Sequence, residues 1–467
     1  MCYRTIFRQG LCLMFLLSAC PAVFAQQKIL TLKEAVQNAL QNYGTIKAKA
    51  NYAQASAATY KATKREYLPN LTLSGQNDFG TVNSQYGPYY GFGGLGVASG
   101  GPILTEQNWN AAFGGLYLTN VNWDFFSFGK SKERIKVAAK QVNLDQSDFV
   151  QEQFQHEIRV SAAYLNLLAS QQLSRSQEKN LQRALALRNV IVARVKSGLN
   201  PGVDSSLANA EVSSAQIALT NAQDVVQQQG NQLSQYLAVT PVDFVLDSAF
   251  VNQIPKTLDT ATNLNIENHP TLRYFQNRVT ISSEREKYLH TFNYPTFTLF
   301  SVFQSRASGF SNYSLNQTIY TQNYFDGVNP TRSNYLVGIG VTWNLTQILR
   351  IHEQVKAQKF TSEGLKNEYN LVNQQLGSQL ILSRTRIQNA LKNYQEAPIG
   401  LKAASDAYLQ KTVLYKNGLA TIVDVTQALY TLNRAETDRD IANNNVWQAL
   451  LYKAAASGDF GMFFNEF

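Results

Sequence analysis

The sequence predicts a mainly α-helical chain that carries four membrane β-strands and is built as an internal two-fold repeat. Three observations carry this expectation. Two segments, Trp109 to Phe125 and Asn334 to Leu345, alternate apolar with small or polar residues at the period of a strand. Two others, Ser131 to Ser197 and Gln347 to Asn417, keep helical periodicity far beyond an ordinary helix of about 11 or 12 residues. Landmarks of the first half also return in the second. Trp123 recurs as Trp343, Gly198-Leu199 as Gly418-Leu419 and Asp204 as Asp424, each 220 residues later, and Tyr67-Leu68-Pro69 is echoed by Asn293-Tyr294-Pro295 after 226.

Composition narrows the class. Of 467 residues, 44% are hydrophobic and 16% charged, against about 25% charged in an average soluble protein. The 25 Phe and 24 Tyr exclude intrinsic disorder, because so much buriable surface folds. Outside the N-terminus no run approaches the roughly 20 apolar residues that cross a bilayer as a helix. The net charge of +9 comes from scattered Lys and Arg interleaved with acids, so no nucleic-acid partner is expected.

Residues 1–25 read as a signal peptide. Arg4 and Arg8 precede the apolar stretch Leu11 to Leu17, and Val23-Phe24-Ala25 satisfies the small-x-small cleavage rule. Cys2, Cys12 and Cys20 all lie in this leader, so a chain beginning at Gln26 has no thiol and no disulfide. Leu17-Ser18-Ala19-Cys20 also fits a bacterial lipobox, which would make a lipidated Cys20 the first residue. The two readings stay open.

The first repeat is expected over 26–240: a helix, strands near 70–81 and 108–125, then long helices turning at 197–203. Along the second strand the odd positions Phe113, Tyr117, Val121 and Trp123 are bulky, whereas Asn110, Gly114, Asn120 and Asn122 fall on the even side. A soluble sandwich would alternate in the same way, but the strand is long. About 14 steps from Trp109 to Trp123 rise roughly 45 Å, or about 35 Å at barrel tilt, which places Trp109 and Trp123 at opposite bilayer interfaces. A linker follows at 241–270, where Pro241, Pro255 and Pro270 interrupt the helical pattern.

The second repeat, 271–467, repeats the plan with strands near 296–305 and 334–345 and a helical turn at 416–421. Tyr335, Val337, Ile339, Val341 and Trp343 mark its apolar strand face, and Trp343 joins the aromatic girdle. The Gly-rich stretch Gly87 to Gly101 and the segment Ser305 to Asn334 are expected as outward-facing loops. Pro398 is expected to kink the long helix. Four strands cannot close a barrel, and open edges cannot face lipid, so the barrel must be shared between subunits.

This plan resembles the TolC-like outer-membrane efflux proteins, the outer membrane factors, from about Leu30 to Gly458. The residues that carry the likeness are the hairpins Arg194-Val195-Lys196-Ser197-Gly198-Leu199-Asn200-Pro201-Gly202-Val203-Asp204 and Tyr415-Lys416-Asn417-Gly418-Leu419-Ala420-Thr421-Ile422-Val423-Asp424, with the opening Leu30-Thr31-Leu32-Lys33-Glu34-Ala35. The resemblance implies a homotrimer with a twelve-stranded barrel in the outer membrane lipid and a twelve-helix tunnel in the periplasm. It further implies a periplasmic adaptor and an inner-membrane pump of RND or ABC type, and so a duct for efflux or type I secretion.

Carried over by residue, the resemblance assigns Gly198, Leu199, Gly418 and Leu419 to the adaptor-docking tip. It matches Asp204 and Tyr415 to positions that latch the closed entrance, and Asp424 to an acidic ring at its constriction. The sequence departs from the pattern at Ala420, where some members have a latch arginine, and at Gln427, where a second acidic ring can occur. Each residue also has a plain structural use. Glycine ends helices, an acid in a first helical turn answers the dipole, and Tyr415 can simply pack.

No Ser/His/Asp set, phosphate loop or dinucleotide turn is visible, and His156, His269, His290 and His352 lack ligand spacing. The expectation is therefore no catalysis, no metal and no cofactor. The rival from another class is a structural envelope protein, a trimeric barrel anchor with a solid coiled-coil stalk.

Overall fold

The computed structural model describes residues 29–84, 103–247, 253–256, 266–314 and 317–466. Both readings of the leader, Cys20 included, and the whole of the Gly87 to Gly101 loop lie outside these residues. The chain divides into two compact units. One comprises 50–147 and 274–370 and bears the sheet; the other comprises 1–49, 148–273 and 371–467 and is helical among its described residues.

In the sheet-bearing unit, α2 (Gly44–Arg65) leads into β1 (Asn70–Thr81) and β2 (Ala111–Phe126), and α3 (Lys130–Lys196) begins there. In the second repeat, α5 (Pro270–His290) leads into β3 (Thr296–Ser308) and β6 (Arg332–Thr342), and α7 (Gln347–Lys416) begins there. The four long strands form one sheet in the order β1-β2-β3-β6, with every pairing antiparallel. The register sets Leu71 against Val121, Gly75 against Tyr117 and Phe79 against Phe113. It continues with Trp123 against Leu299, Phe303 against Tyr335 and Leu299 against Ile339.

Paired residues share a face, and side chains alternate along each strand. Odd-numbered residues of all four strands therefore build one continuous face, interrupted only by the irregularity between Trp123 and Phe126. That face carries Leu71, Leu73, Phe79, Phe113, Tyr117, Val121, Phe303, Val337, Ile339 and Val341. Its even counterpart on β1 is Asn70, Thr72, Ser74, Gln76 and Asp78. Trp109 precedes β2 by two residues and is 80% exposed.

The segment Ser305 to Asn334 is more ordered than a plain loop. β3 extends to Ser308, and β4 (Phe310–Ser314), β5 (Gln317–Tyr320) and the short helix α6 (Tyr324–Val328) follow. Asn323 caps α6 by accepting the Phe325 N–H at 3.1 Å.

In the helical unit, α1 (Leu32–Asn42) starts at Thr31, whose hydroxyl accepts the Glu34 N–H at 3.2 Å. Leu32, Ala35, Val36 and Ala39 recur at helical spacing and are buried. They pack with Val160, Tyr164 and Leu167 of α3, Leu233 and Leu237 of α4 (Gly202–Leu237), Trp447 and Leu450 of α8 (Ile422–Ser457), and Phe463 of α9 (Gly461–Phe464). Tyr164 ties the N-terminal segment down by donating to the Leu30 carbonyl at 2.8 Å and accepting the Asp247 N–H at 3.1 Å. The helix α7 continues through Pro398.

The repeat extends to the helix ends. The returning helices α4 and α8 both finish on a left-handed residue, Ala238 and Gly458, 220 positions apart. Each also meets a buried histidine. His156 Nε2 donates to the Tyr236 carbonyl and His269 Nε2 to the Ala455 carbonyl, both at 3.0 Å. His269 Nδ1 accepts the Thr271 N–H at 3.1 Å, so a single neutral imidazole joins the end of α8 to the start of α5. A Cβ on Gly458 would lie 2.8 Å from His269, which requires glycine there.

Candidate functional site: the two hairpin tips

Both tips lie in the helical unit, where α3 turns into α4 and α7 turns into α8. The two turns have the same construction. Leu199 N–H reaches back to the Arg194 carbonyl at 2.9 Å and Gly198 N–H to Val195 at 3.0 Å. Leu419 N–H reaches Leu414 at 2.8 Å and Gly418 N–H reaches Tyr415 at 3.0 Å. These paired bonds are the Schellman motif, which needs a left-handed residue after the helix. Gly198 at φ 73° and Gly418 at φ 75° supply it. The following leucine ordinarily folds back on the helix. Here Leu199 is 68% exposed and Leu419 74% exposed.

Behind the tips, Leu187, Ile191, Ala208, Tyr415, Ile422 and Val425 form a small core, against which Ala420 packs. A polar cluster lies over it. Arg194 Nε donates to Asn200 Oδ1 at 2.9 Å, and its Nη1 donates to the Lys416 carbonyl at 2.9 Å. Asn200 Nδ2 in turn donates to Asp204 at 2.7 Å and to the Tyr415 hydroxyl at 3.2 Å. The Arg194 guanidinium stands 5.5 Å from the centre of the Tyr415 ring. Burial, helped by the Asp204 charge, raises the Tyr415 pKa, so its hydroxyl stays protonated. Asp204 and Tyr415 thus belong to one constellation, in which Arg194 and Asn200 are the connecting residues.

Asp424 sits differently. It closes a capping box with Thr421, accepting from the Thr421 N–H at 3.0 Å and hydroxyl at 2.7 Å while the Asp424 N–H donates to the Thr421 oxygen at 3.3 Å. Lys411 Nζ of α7 donates to its other oxygen at 3.1 Å. The Thr421 bonds, then Lys411, lower its carboxyl to about 2, so it is ionised throughout the ordinary pH range. Gln427, one turn further along α8, is exposed.

Thr421-x-x-Asp424 has the local spacing of a capping box, whereas Lys411 carries no local signal, since only the antiparallel return of α8 along α7 brings it near. Trp109, Trp123 and Trp343, expected at an aromatic girdle, lie in the other unit. Trp123 donates to the Tyr67 carbonyl at 2.8 Å and Trp343 to the Asn293 carbonyl at 3.1 Å, each at the helix-bearing end of its strand. Among the described residues, no three His, Cys, Asp or Glu gather as metal ligands, and no helix is long and apolar enough to cross a membrane.

Residues 35–239 match the family described as outer membrane efflux protein. No curated protein matches the chain by sequence. Among solved structures, the outer membrane protein VceC of Vibrio cholerae superposes with a TM-score of 0.73 at 17% identity, covering 92% of this chain and 96% of that one. CusC gives 0.75 at 13% identity over 92% of each chain. The open-state MtrE outer membrane channel of Neisseria gonorrhoeae gives 0.69 at 14%, over 92% of this chain and 89% of that one. Residues 35–239 thus match the outer membrane efflux protein family, and the described chain as a whole has the fold of these outer membrane channels.

Proposed function

We propose that three copies of this chain form an outer-membrane exit duct that reaches into the periplasm and passively conducts cargo delivered by an inner-membrane pump through a periplasmic adaptor. The observation that carries this reading is the sheet. It has one apolar face, and its outer strands β1 and β6 each pair on one side only among the described residues. Such edges need partners in lipid, and copies of the same chain supply them with closed symmetry. Energy enters from the pump, of RND or ABC type, since no phosphate-binding loop is visible in the sequence.

The tips are the proposed adaptor contact. Leu199 and Leu419 present apolar side chains on rigid turns, which suits docking better than helix termination alone. The cluster of Arg194, Asn200, Asp204 and Tyr415 is the proposed latch of the resting entrance. Arg194 takes the part that an arginine at position 420 plays in some relatives. Asp424, repeated three times around the axis, sets a negative field at the constriction, tempered by Lys411.

Conductance of the purified assembly in planar bilayers tests the duct. Discrete ion-conducting steps are expected. Absence of current through an inserted, folded assembly would favour the solid-stalk protein.

A further inference from the structure

The short helix α6 lies on the apolar, odd-numbered face of the sheet. The Tyr324 ring meets Phe113 edge-on with centroids 5.2 Å apart. Its hydroxyl accepts from Asn77 Nδ2 at 3.3 Å, and the Val328 carbonyl accepts from the Tyr117 hydroxyl at 3.0 Å. Gly327 makes this approach possible, since a Cβ there would lie 2.5 Å from the Phe113 side chain. Every sheet residue in these contacts, Asn77, Phe113 and Tyr117, carries an odd number.

The other side of α6 is not covered. Phe325 is 75% exposed and Tyr324 44% exposed, and Phe79 of β1, also exposed, packs on the same Phe113 ring with centroids 4.7 Å apart. Height along the sheet then identifies the surroundings. Phe113 and Trp123 are ten steps apart on β2, which is about 33 Å of strand or about 25 Å at a tilt near 40°, the height of a barrel's apolar band. With Trp123 and Trp343 at one interface, α6 stands at the other.

We propose that α6 is a membrane-interface foot: Phe325 and Tyr324 insert at the headgroup–acyl boundary of the outer leaflet, held against the barrel wall by Phe113, Tyr117 and Gly327. Aromatic rings are favoured at that depth. Asp326, exposed on the same turn, keeps the segment at the boundary and out of the hydrocarbon. This inference rests on the reading of the odd face as the lipid face.

The test uses a nitroxide spin label on Phe325→Cys in the full-length protein, reconstituted into phosphatidylethanolamine–phosphatidylglycerol vesicles. All three native cysteines lie in the leader, and the unsubstituted protein is labelled in parallel to measure any background. Collision rates with oxygen, which partitions into lipid, and with a water-soluble nickel chelate are compared at three sites. Val337→Cys reports the proposed lipid face and Leu336→Cys the opposite face. Expected at Phe325 is an oxygen-to-chelate ratio several-fold above that of Leu336, at a depth shallower than Val337. The same label combined with Gly327→Ala, which pushes α6 off Phe113, is expected to lose most of that ratio. Chelate-dominated collisions at Phe325 with Val337 in lipid overturn the foot and leave the barrel standing. Low collision with both reagents at Phe325 means that protein covers it, and also overturns the foot. Val337 in water overturns the barrel reading and the foot with it.

Discussion

Trp123 and Tyr67 hold each other across the junction between helix and strand. The indole N–H of Trp123 donates to the Tyr67 carbonyl at 2.8 Å, and the Tyr67 hydroxyl donates to the Phe125 carbonyl at 3.1 Å. In the second repeat, Trp343 makes the matching bond to Asn293 at 3.1 Å. Each tryptophan is thereby a bracket that fixes where α2 and α5 hand over to the sheet. Trp123→Phe keeps the aromatic ring and removes the donor. It is expected to lower stability by about 1 kcal/mol, read as a lower dissociation temperature of the assembled protein in detergent, and Trp343→Phe should behave alike.

Asp424 remains charged because Thr421 and Lys411 hold its carboxyl down to about 2. A carboxyl with a depressed pKa favours the folded state above its ordinary value of about 4 and loses that advantage as pH falls toward 2. Asp424→Asn is expected to weaken block by multivalent cations in planar bilayers. Lys411→Gln, which removes the compensating charge, should strengthen it. Wild-type block should persist at pH 4, where an ordinary aspartate is already half protonated. Block unchanged by both substitutions would remove Asp424 from the constriction.

At the tips, exposure separates docking from helix termination. Leu199→Ser together with Leu419→Ser leaves both Schellman turns and the small core behind them untouched. The double variant should therefore melt like wild type while losing most of its site-specific crosslinking to the adaptor. Gly198→Ala makes the contrast, because it forces a Cβ into a left-handed conformation and costs about 1 kcal/mol of stability. Crosslinking retained by the leucine variant at wild-type levels would move the adaptor elsewhere.

His269 makes the helical unit acid-sensitive. Burial lowers its pKa below the ordinary 6.5, and the neutral ring uses both nitrogens, one for Ala455 and one for Thr271. A lowered histidine pKa leaves stability unaffected well above 6.5. Stability then falls as pH drops below 6.5, because the unfolded chain takes up a proton that the folded ring refuses. Glu157, raised by burial to about 7, works in the opposite direction. The informative quantity is therefore the difference between wild type and His269→Asn. The advantage of wild type in melting temperature should shrink steadily from pH 7 to pH 5, and a constant difference would show that the ring takes up its proton as readily in the folded chain as in the unfolded one.

How much of this was legible in the sequence depended on the range of the interaction. Val337, Ile339 and Val341 announce a strand with one apolar face because the signal lies in residues two apart. The weaker strand at Leu71 and Leu73 could be placed only by the repeat, and its register with Val121 and Thr119 makes it part of the same face. The β4-β5 hairpin and α6 left no trace, since Ser, Asn and Tyr follow one another there without period, and α6 is held by Phe113 and Tyr117 rather than by its own sequence.

The site divides in the same way. The Gly-Leu turns show as local motifs, with Gly198 and Gly418 needed for a positive φ. The cluster joining Arg194, Asn200 and Tyr415 does not, because its partners are more than 200 residues apart along the chain. The double cap made by His269 is likewise invisible until α8 returns beside α5. As a lone residue without ligand spacing, this histidine looked inert.

The open edges of β1 and β6 have a genetic consequence. In the proposed trimer every chain completes two neighbours, so no subunit can be faulty in private. Suppose half the chains in a cell carry a proline in the middle of β6, which deletes a ladder donor and is tolerated poorly within a sheet. Random mixing then leaves only about one assembly in eight free of a damaged seam. An allele of this kind should be dominant over a good copy of the gene, whereas one that merely prevents the chain from being made should be recessive.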